Sequence, residues 1–402
     1  MSGRGPIRRA SARRPRAVRT GLDQLLARAF LLRGMRLGLI ANPTAVTADL
    51  VHAARALHRA RGVRLKALFG PEHGVWADAQ DLVEVEDSRD PLTGLPVLSL
   101  YGKTRRPTAA MLGGLDALVF DVQDVGARYY TFVYTMLHAM EACAAGGKAL
   151  VVLDRPNPLG GEVLDGNVLD PAYLSFVGLH PLAARHGMTV GELALMFRAE
   201  RSLDVDLRVV RMRGWQRWMS YEDTGLPWVM PSPNMPTLDT AYVYPGACLV
   251  EGTNLSEGRG TTRPFELVGA PWLDPWALAR DLRRERLPGV AFRPVFFTPT
   301  FQKHAGRVCG GVALHVTDHA RFPAFLAYLL LIHHARRQAP ERFAWRDPPY
   351  EYEQVKRPID ILCGTDVVRR ALDDGLSPRR FARQWRRELQ AFRRRRLPYL
   401  LY

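Results

Sequence analysis

Apolar residues in this chain come in short runs, and each run stops at a polar cluster. Leu37 to Ala41 reads LGLIA and ends at Asn42-Pro43-Thr44. Leu65 to Phe69 ends at Gly70-Pro71-Glu72-His73-Gly74, and Ala117 to Phe120 at Asp121-Val122-Gln123-Asp124. Ala149 to Leu153 ends at Asp154-Arg155-Pro156-Asn157-Pro158. Runs this short suit buried strands. Between them, Ala48 to Arg61 places Leu50, Ala53, Ala54 and Leu57 on one helical face, and Tyr134 to Ala145 reads as a second helix. Strands alternating with helices predict β-α units and a parallel, Rossmann-like α/β sheet. Open α/β sheets bind ligands outside the carboxyl ends of their strands. Asn42, Glu72, His73, Asp121, Asp124, Asp154 and Asn157 are therefore expected along one edge. Turn formation alone explains Asn42 and Asp154. It explains Glu72-His73 less well, because neither is a favoured turn residue.

The later pattern changes character. Residues 213–246 are rich in Trp, Pro and Tyr and read as an irregular, substrate-side loop. Beyond them, residues 275–286, 320–338 and 377–396 read as helices, and Gly289 to Phe297 and Ala313 to Val316 as strands. A chain of 402 residues exceeds one ordinary core. The expected division is a disordered basic arm over 1–20, a Rossmann-like domain over 21–240, and a smaller α/β domain over 241–402 that completes a cleft.

Composition narrows the classes. Hydrophobic residues make up 47% and charged residues 24%, a globular profile. The net charge of +16 suggests a nucleic-acid partner until its location is read. Residues 1–20 hold seven arginines and no acid, and residues 379–396 hold nine arginines and one acid, Glu388. The two ends carry nearly all the excess, so the body is near neutral and the runs read as solvated arms or faces. No specific nucleic-acid partner is expected. The longest apolar run, Phe325 to Ile332, is too short to span a bilayer. Cys143, Cys248, Cys309 and Cys363 have no paired spacing and read as buried thiols of a reducing compartment. No apolar stretch follows the N-terminal arginines, and the expected location is the cytoplasm.

The usual cofactor fingerprints are missing. The first strand runs into Asn42-Pro43-Thr44 rather than a GxGxxG turn, and no GxxxxGK[ST], HExxH or GxSxG sequence occurs. His315 with His319, and His333 with His334, fall in segments that read as structural. Neither metal nor cofactor is expected.

Carboxylates remain. Glu72 lies in FGPEHG, Asp121 and Asp124 in FDVQDVGARYYTF, and Glu251 and Glu257 in LVEGTNLSEGRGTTRPF. Two carboxylates flanking a glycosidic bond can protonate the leaving oxygen and stabilise or attack an oxocarbenium-like centre. Tyr129, Tyr130, Trp215, Trp218 and Trp228 offer aromatic surfaces for a sugar ring. The glycine-dense stretch 251–265 reads as a fixed, functional loop, because glycine lets backbone amides approach a ligand.

These motifs together resemble the exo-β-N-acetylmuramidase (NamZ-type) family of peptidoglycan hexosaminidases. The resemblance covers nearly the whole chain after residue 20. It rests on FGPEHG (69–74), TGLPVLSLYG (93–102), FDVQDVGARYYTF (120–132), DRPNPLGG (154–161), HGMTVGELA (186–194), PSPNMPT (231–237), YPGACLVEGTNLSEGRGTTRPF (244–265) and PYEY (349–352). It implies a Rossmann-like domain, a second α/β domain, and release of N-acetylmuramic acid from the non-reducing end of peptidoglycan fragments. The glutamate of the PEHG motif falls on Glu72, the implied general acid, with Asp124 and Glu251 as candidates for the second group. Candidates for substrate contact are His73, Asp121, Arg128, Tyr130, Arg155, Asn157, Asn234, Asn254, Glu257 and Arg259. The lactyl carboxylate of N-acetylmuramic acid would suit an arginine fork, from Arg128, Arg155 or Arg259. Its 2-acetamido group offers an internal nucleophile as an alternative to a protein one. The stretch Val75-Trp76-Ala77 is more apolar than the family pattern, and the family's export signal is missing. A non-catalytic muropeptide- or sugar-binding protein on the same fold is the competing reading. A nucleic-acid or envelope-associated protein would rest on the arginine runs alone.

Overall fold

The computed structural model describes residues 18–28, 32–77 and 86–402. Among the described residues, twelve strands form three sheets. The largest takes β1 (Arg36–Ala41), β2 (Arg64–Gly70), β3 (Ser88–Arg89), β4 (Pro96–Ser99), β5 (Ala117–Asp121), β6 (Ala149–Leu153) and β9 (Asp206–Val210), in the order β3-β4-β2-β1-β5-β6-β9. All neighbours in it run parallel except the β3–β4 pair. Strands β7 (Asp165–Val168) and β8 (Ala183–Arg185) form a two-stranded antiparallel ribbon. The third sheet is antiparallel, β10 (Leu267–Ala270), β12 (Cys309–Val316) and β11 (Val290–Phe297), with β12 central. The fold is therefore mixed α/β, with a mostly parallel main sheet and a second, smaller sheet.

Period-two alternation explains the parallel sheet's two cores. Leu37, Leu39, Val119 and Val151 point to one face, where Leu22, Ala53 and Leu57 cover them. Ile40, Phe69, Phe120 and Val152 point to the other. That second core continues without a break into Val268, Leu314, Leu329 and Ile361 of the C-terminal half. Burial on both faces is why these strands read as apolar runs rather than alternating ones.

Several elements depart from the sequence reading. The helix expected over Ala48 to Arg61 spans Ala53–Arg59, with His52 as its N-cap, and Leu50 stands outside it, exposed and at φ 61°. The segment 213–246 is not wholly irregular: Leu238–Ala247 is a buried helix capped by Thr237, and Pro245 sits in its last turn. Helix Val190–Glu200 was missed, although Thr189 and Glu192 form a capping box there.

The C-terminal basic run is a solvated face on a packed helix rather than a free arm, with Arg379, Arg380, Arg383, Arg386, Arg387, Arg393 and Arg394 exposed. Residues 1–17 lie outside the described residues, but Val18 and Thr20 are buried and Arg19 pairs with Arg213 in a β-bridge. The C-terminal helix Arg379–Arg396 buries Phe381, Trp385 and Phe392. Arg395 pairs with Glu200, and the buried Arg396 donates to the carbonyls of His186 and Gly187. This run clamps the end of the chain onto the first half. Among the described residues no helix is long and apolar enough to cross a membrane, and all four cysteines are buried and free.

Candidate active site

Doubly wound sheets offer a crevice where strand order reverses, here between β1 and β5. That crevice is filled. Asn42 Nδ2 donates to the Pro231 carbonyl at 3.1 Å, the Gln123 amide donates to Thr44 Oγ1 at 2.9 Å, and Gln123 Nε2 donates to the Pro156 carbonyl at 2.7 Å. The cavity instead opens beyond β2, between the two halves of the chain. It has a volume of about 60 Å³ and is walled by Glu72, His73, Tyr129–Phe132, Val177, Ser232, Asn234, Met235, Tyr244, Cys248, Glu251, Arg259, Phe265, Tyr350 and Glu351.

Glu72 enters this cavity because of the turn that follows β2. His73 and Gly74 both take positive φ, 68° and 81°, and the Gly74 amide donates to the Pro71 carbonyl at 2.9 Å. A left-handed conformation is unusual for histidine and is held where the surroundings impose it. The chain reverses there and leaves Glu72 almost buried on the wall. Thr131 Oγ1 donates to Glu72 Oε2 at 2.5 Å. The Tyr101 hydroxyl stays protonated far above neutral pH, through burial first and then the charges of Glu72 and Glu351.

A second carboxylate faces the cavity from the 3-10 turn Cys248–Gly252. Tyr350 Oη donates to Glu251 Oε2 at 2.8 Å, and an Arg259 guanidinium nitrogen lies 3.2 Å from Oε1. Arg259 is itself anchored by Glu257 at 3.0 Å, and Glu257 by Lys303 at 2.8 Å. Burial works against ionisation of Glu257, but Lys303 and Arg259 outweigh it and pull its pKa down to about 2. Lys303, Glu257, Arg259 and Glu251 thus form one chain of charges that fixes the last of them.

Six expected residues meet on the wall: Glu72, His73, Tyr130, Asn234, Glu251 and Arg259. Seven do not, and each is occupied elsewhere. Asp121 and Arg155 form a buried two-pronged ion pair at 2.6 and 2.9 Å. Asp124 accepts from the Gly126 amide through Oδ2, which stands 3.5 Å from His186 Nε2, and it lies off the wall. Arg128 is fully buried and donates to the carbonyls of Asn167, Leu182 and Leu362. Asn157 spans the Leu159 amide and the Met188 carbonyl. Asn254 ties down the Arg342–Ala344 backbone, and Glu257 anchors Arg259 from behind the wall.

The expected tryptophans are also absent from the wall. Trp215 is buried against Tyr402, Trp228 packs edge-on to Tyr221, and Trp218 is exposed. Tyr244, Phe132 and Phe265 supply aromatic surface instead. Thr131, Ser232, Tyr350 and Glu351 were not singled out in the sequence, although each lies within a motif quoted for the family resemblance. Among the described residues, no three or more His, Cys, Asp or Glu side chains gather as a metal group.

A parallel-sheet scaffold with two carboxylates on the wall of an aromatic cleft fits the two-carboxylate class of glycosidases. Within it, the chain belongs to the exo-β-N-acetylmuramidase NamZ family. Residues 37–239 match the model of that family's N-terminal part, and residues 242–402 match that of its C-terminal part. The chain is 47% identical over 393 residues to the peptidoglycan β-N-acetylmuramidase NamZ of Bacillus subtilis (strain 168), spanning 98% of this chain and 93% of that protein. Crystal structures of two DUF1343 family proteins from Bacteroides fragilis NCTC 9343 share its fold. One has a TM-score of 0.86 at 37% identity, the other 0.76 at 31%, and each match covers 96% of this chain and 99% of the other.

Proposed function

We propose that this chain is an exo-acting peptidoglycan β-N-acetylmuramidase that removes N-acetylmuramic acid from the non-reducing end of MurNAc-GlcNAc fragments, with Glu72 as general acid. The near full-length likeness to the Bacillus muramidase supports the activity. The observation that carries the residue assignment is the placement of Glu72 on the cavity wall, with Thr131 on one oxygen. In this reading Glu72 protonates the glycosidic oxygen as the bond breaks. Glu251, held by Tyr350 and Arg259, supplies negative charge beside the oxocarbenium-like centre. Tyr129, Tyr130 and Tyr244 face the sugar ring, and a water molecule then adds to the anomeric carbon and gives up its proton to a carboxylate of the wall. The four free buried cysteines fit a reducing compartment, and thus turnover of wall fragments in the cytoplasm.

Two disaccharides test the function. MurNAc-GlcNAc should yield free N-acetylmuramic acid, and GlcNAc-MurNAc should remain intact. Cleavage of the second, or of neither, would refute the proposal.

A further inference from the structure

The sugar released in this reaction carries a lactyl carboxylate. The three arginines first considered for it are committed: Arg128 to backbone carbonyls, Arg155 to Asp121, and Arg259 to Glu251 and Glu257. A different arginine packs among aromatic rings that adjoin wall residues in the chain. Among the described residues, Arg105 makes no ion pair, and its Nε is buried without a hydrogen-bond partner. Aromatic rings hold it instead. Its Cζ lies 3.3 Å from the ring centroid of Tyr352, 5.5 Å from that of Phe176 and 5.8 Å from that of Tyr101.

Those rings belong to the cavity's surroundings. Tyr352 follows Glu351 and Phe176 precedes Val177, and both neighbours are wall residues. Tyr101 is close enough to Glu72 and Glu351 to respond to their charges. Stacking engages the faces of a guanidinium and leaves its in-plane N–H donors for an anion. Nearby arginines are arranged differently: Arg106, the next residue, is paired with Glu141. A sugar carboxylate entering beside Glu251 and Glu351 also needs a cation to offset their repulsion.

We propose that Arg105 binds the lactyl carboxylate of the N-acetylmuramic acid residue and so selects muramides over glucosaminides. The proposal rests on the muramidase reading and deepens it. The test uses three chromogenic substrates: the β-N-acetylmuramide, the same compound with its lactyl group as a carboxamide, and the β-N-acetylglucosaminide. Arg105→Met should lower kcat/KM on the muramide by roughly 30-fold or more, the loss expected for a charge-assisted contact. Its rates on the carboxamide and the glucosaminide should match wild type, and Arg105→Lys should recover part of the loss. Equal loss on all three substrates, or none, overturns the proposal. Should the methionine variant fail to fold, the wild type still decides: equal rates on muramide and carboxamide overturn it. So does a wild-type preference for muramoyl peptides, which would place peptide rather than lactyl recognition at Arg105. A wild type that cleaves none of the three refutes the muramidase function itself.

Discussion

At the end of β2, Glu72 faces a cavity and receives a hydrogen bond from Thr131. Two and three strands away in the same sheet, the carboxylates ending β5 and following β6 meet a different fate. Asp121 takes both prongs of Arg155, and Asp154 accepts from the amides of Arg155 and Gly191 and the hydroxyls of Thr189 and Tyr402. Both are fully buried. The same functional group at the ends of strands in one sheet thus faces a cavity in one place and serves architecture in the other. What separates them is how many donors the fold directs at the carboxylate before any substrate arrives.

This contrast can be broken from either side. The largest effect belongs to Glu72→Gln, which should cost about 10² to 10⁴ in kcat, as for a lost general acid, while the melting temperature stays near that of wild type. At the other end of the edge, Asp121→Asn leaves Arg155 buried beside a neutral partner. Breaking a buried pair in this way costs about 3–5 kcal/mol of stability, which denaturant unfolding would show. Wild-type stability in Asp121→Asn, or a large drop in Glu72→Gln, would erase the distinction.

A smaller effect concerns the charge chain behind Glu251. The folded pKa of Glu257 lies near 2 and its ordinary value is 4.5. Between these values the unfolded chain binds more protons, so the stability this group contributes is present above pH 4.5 and is lost as pH falls towards 2. Lys303→Met, which removes one of the two cations, should flatten the stability profile in that window. An unchanged slope would show that Lys303 does not set the ionisation of Glu257.

The parallel sheet was legible because its strands are buried on both faces and therefore read as bounded apolar runs. Helix Leu238–Ala247 was not, because an internal Pro-Gly pair beside two tyrosines looks like loop when the tertiary packing around it is unseen. The edge argument located Glu72 but could not separate it from Asp121, Asp124 and Asn157. Sequence shows which polar residues end a strand; their partners come from residues such as Arg155, Thr189 and His186, whose positions only the fold supplies. Arg128 illustrates the same limit. It sits in a motif beside two cavity tyrosines, yet its side chain turns inward to three carbonyls.

The central claim is that Glu72 delivers a proton to the leaving oxygen, and leaving-group dependence tests it most directly. Glu72→Gln and wild type would be compared on MurNAc-GlcNAc, whose leaving sugar needs a proton, and on a dinitrophenyl β-N-acetylmuramide, whose leaving phenolate does not. The account predicts a large loss of rate on the disaccharide and a rate close to wild type on the dinitrophenyl substrate at the bond-breaking step. Equal losses on the two substrates, or full activity on the disaccharide, would contradict it.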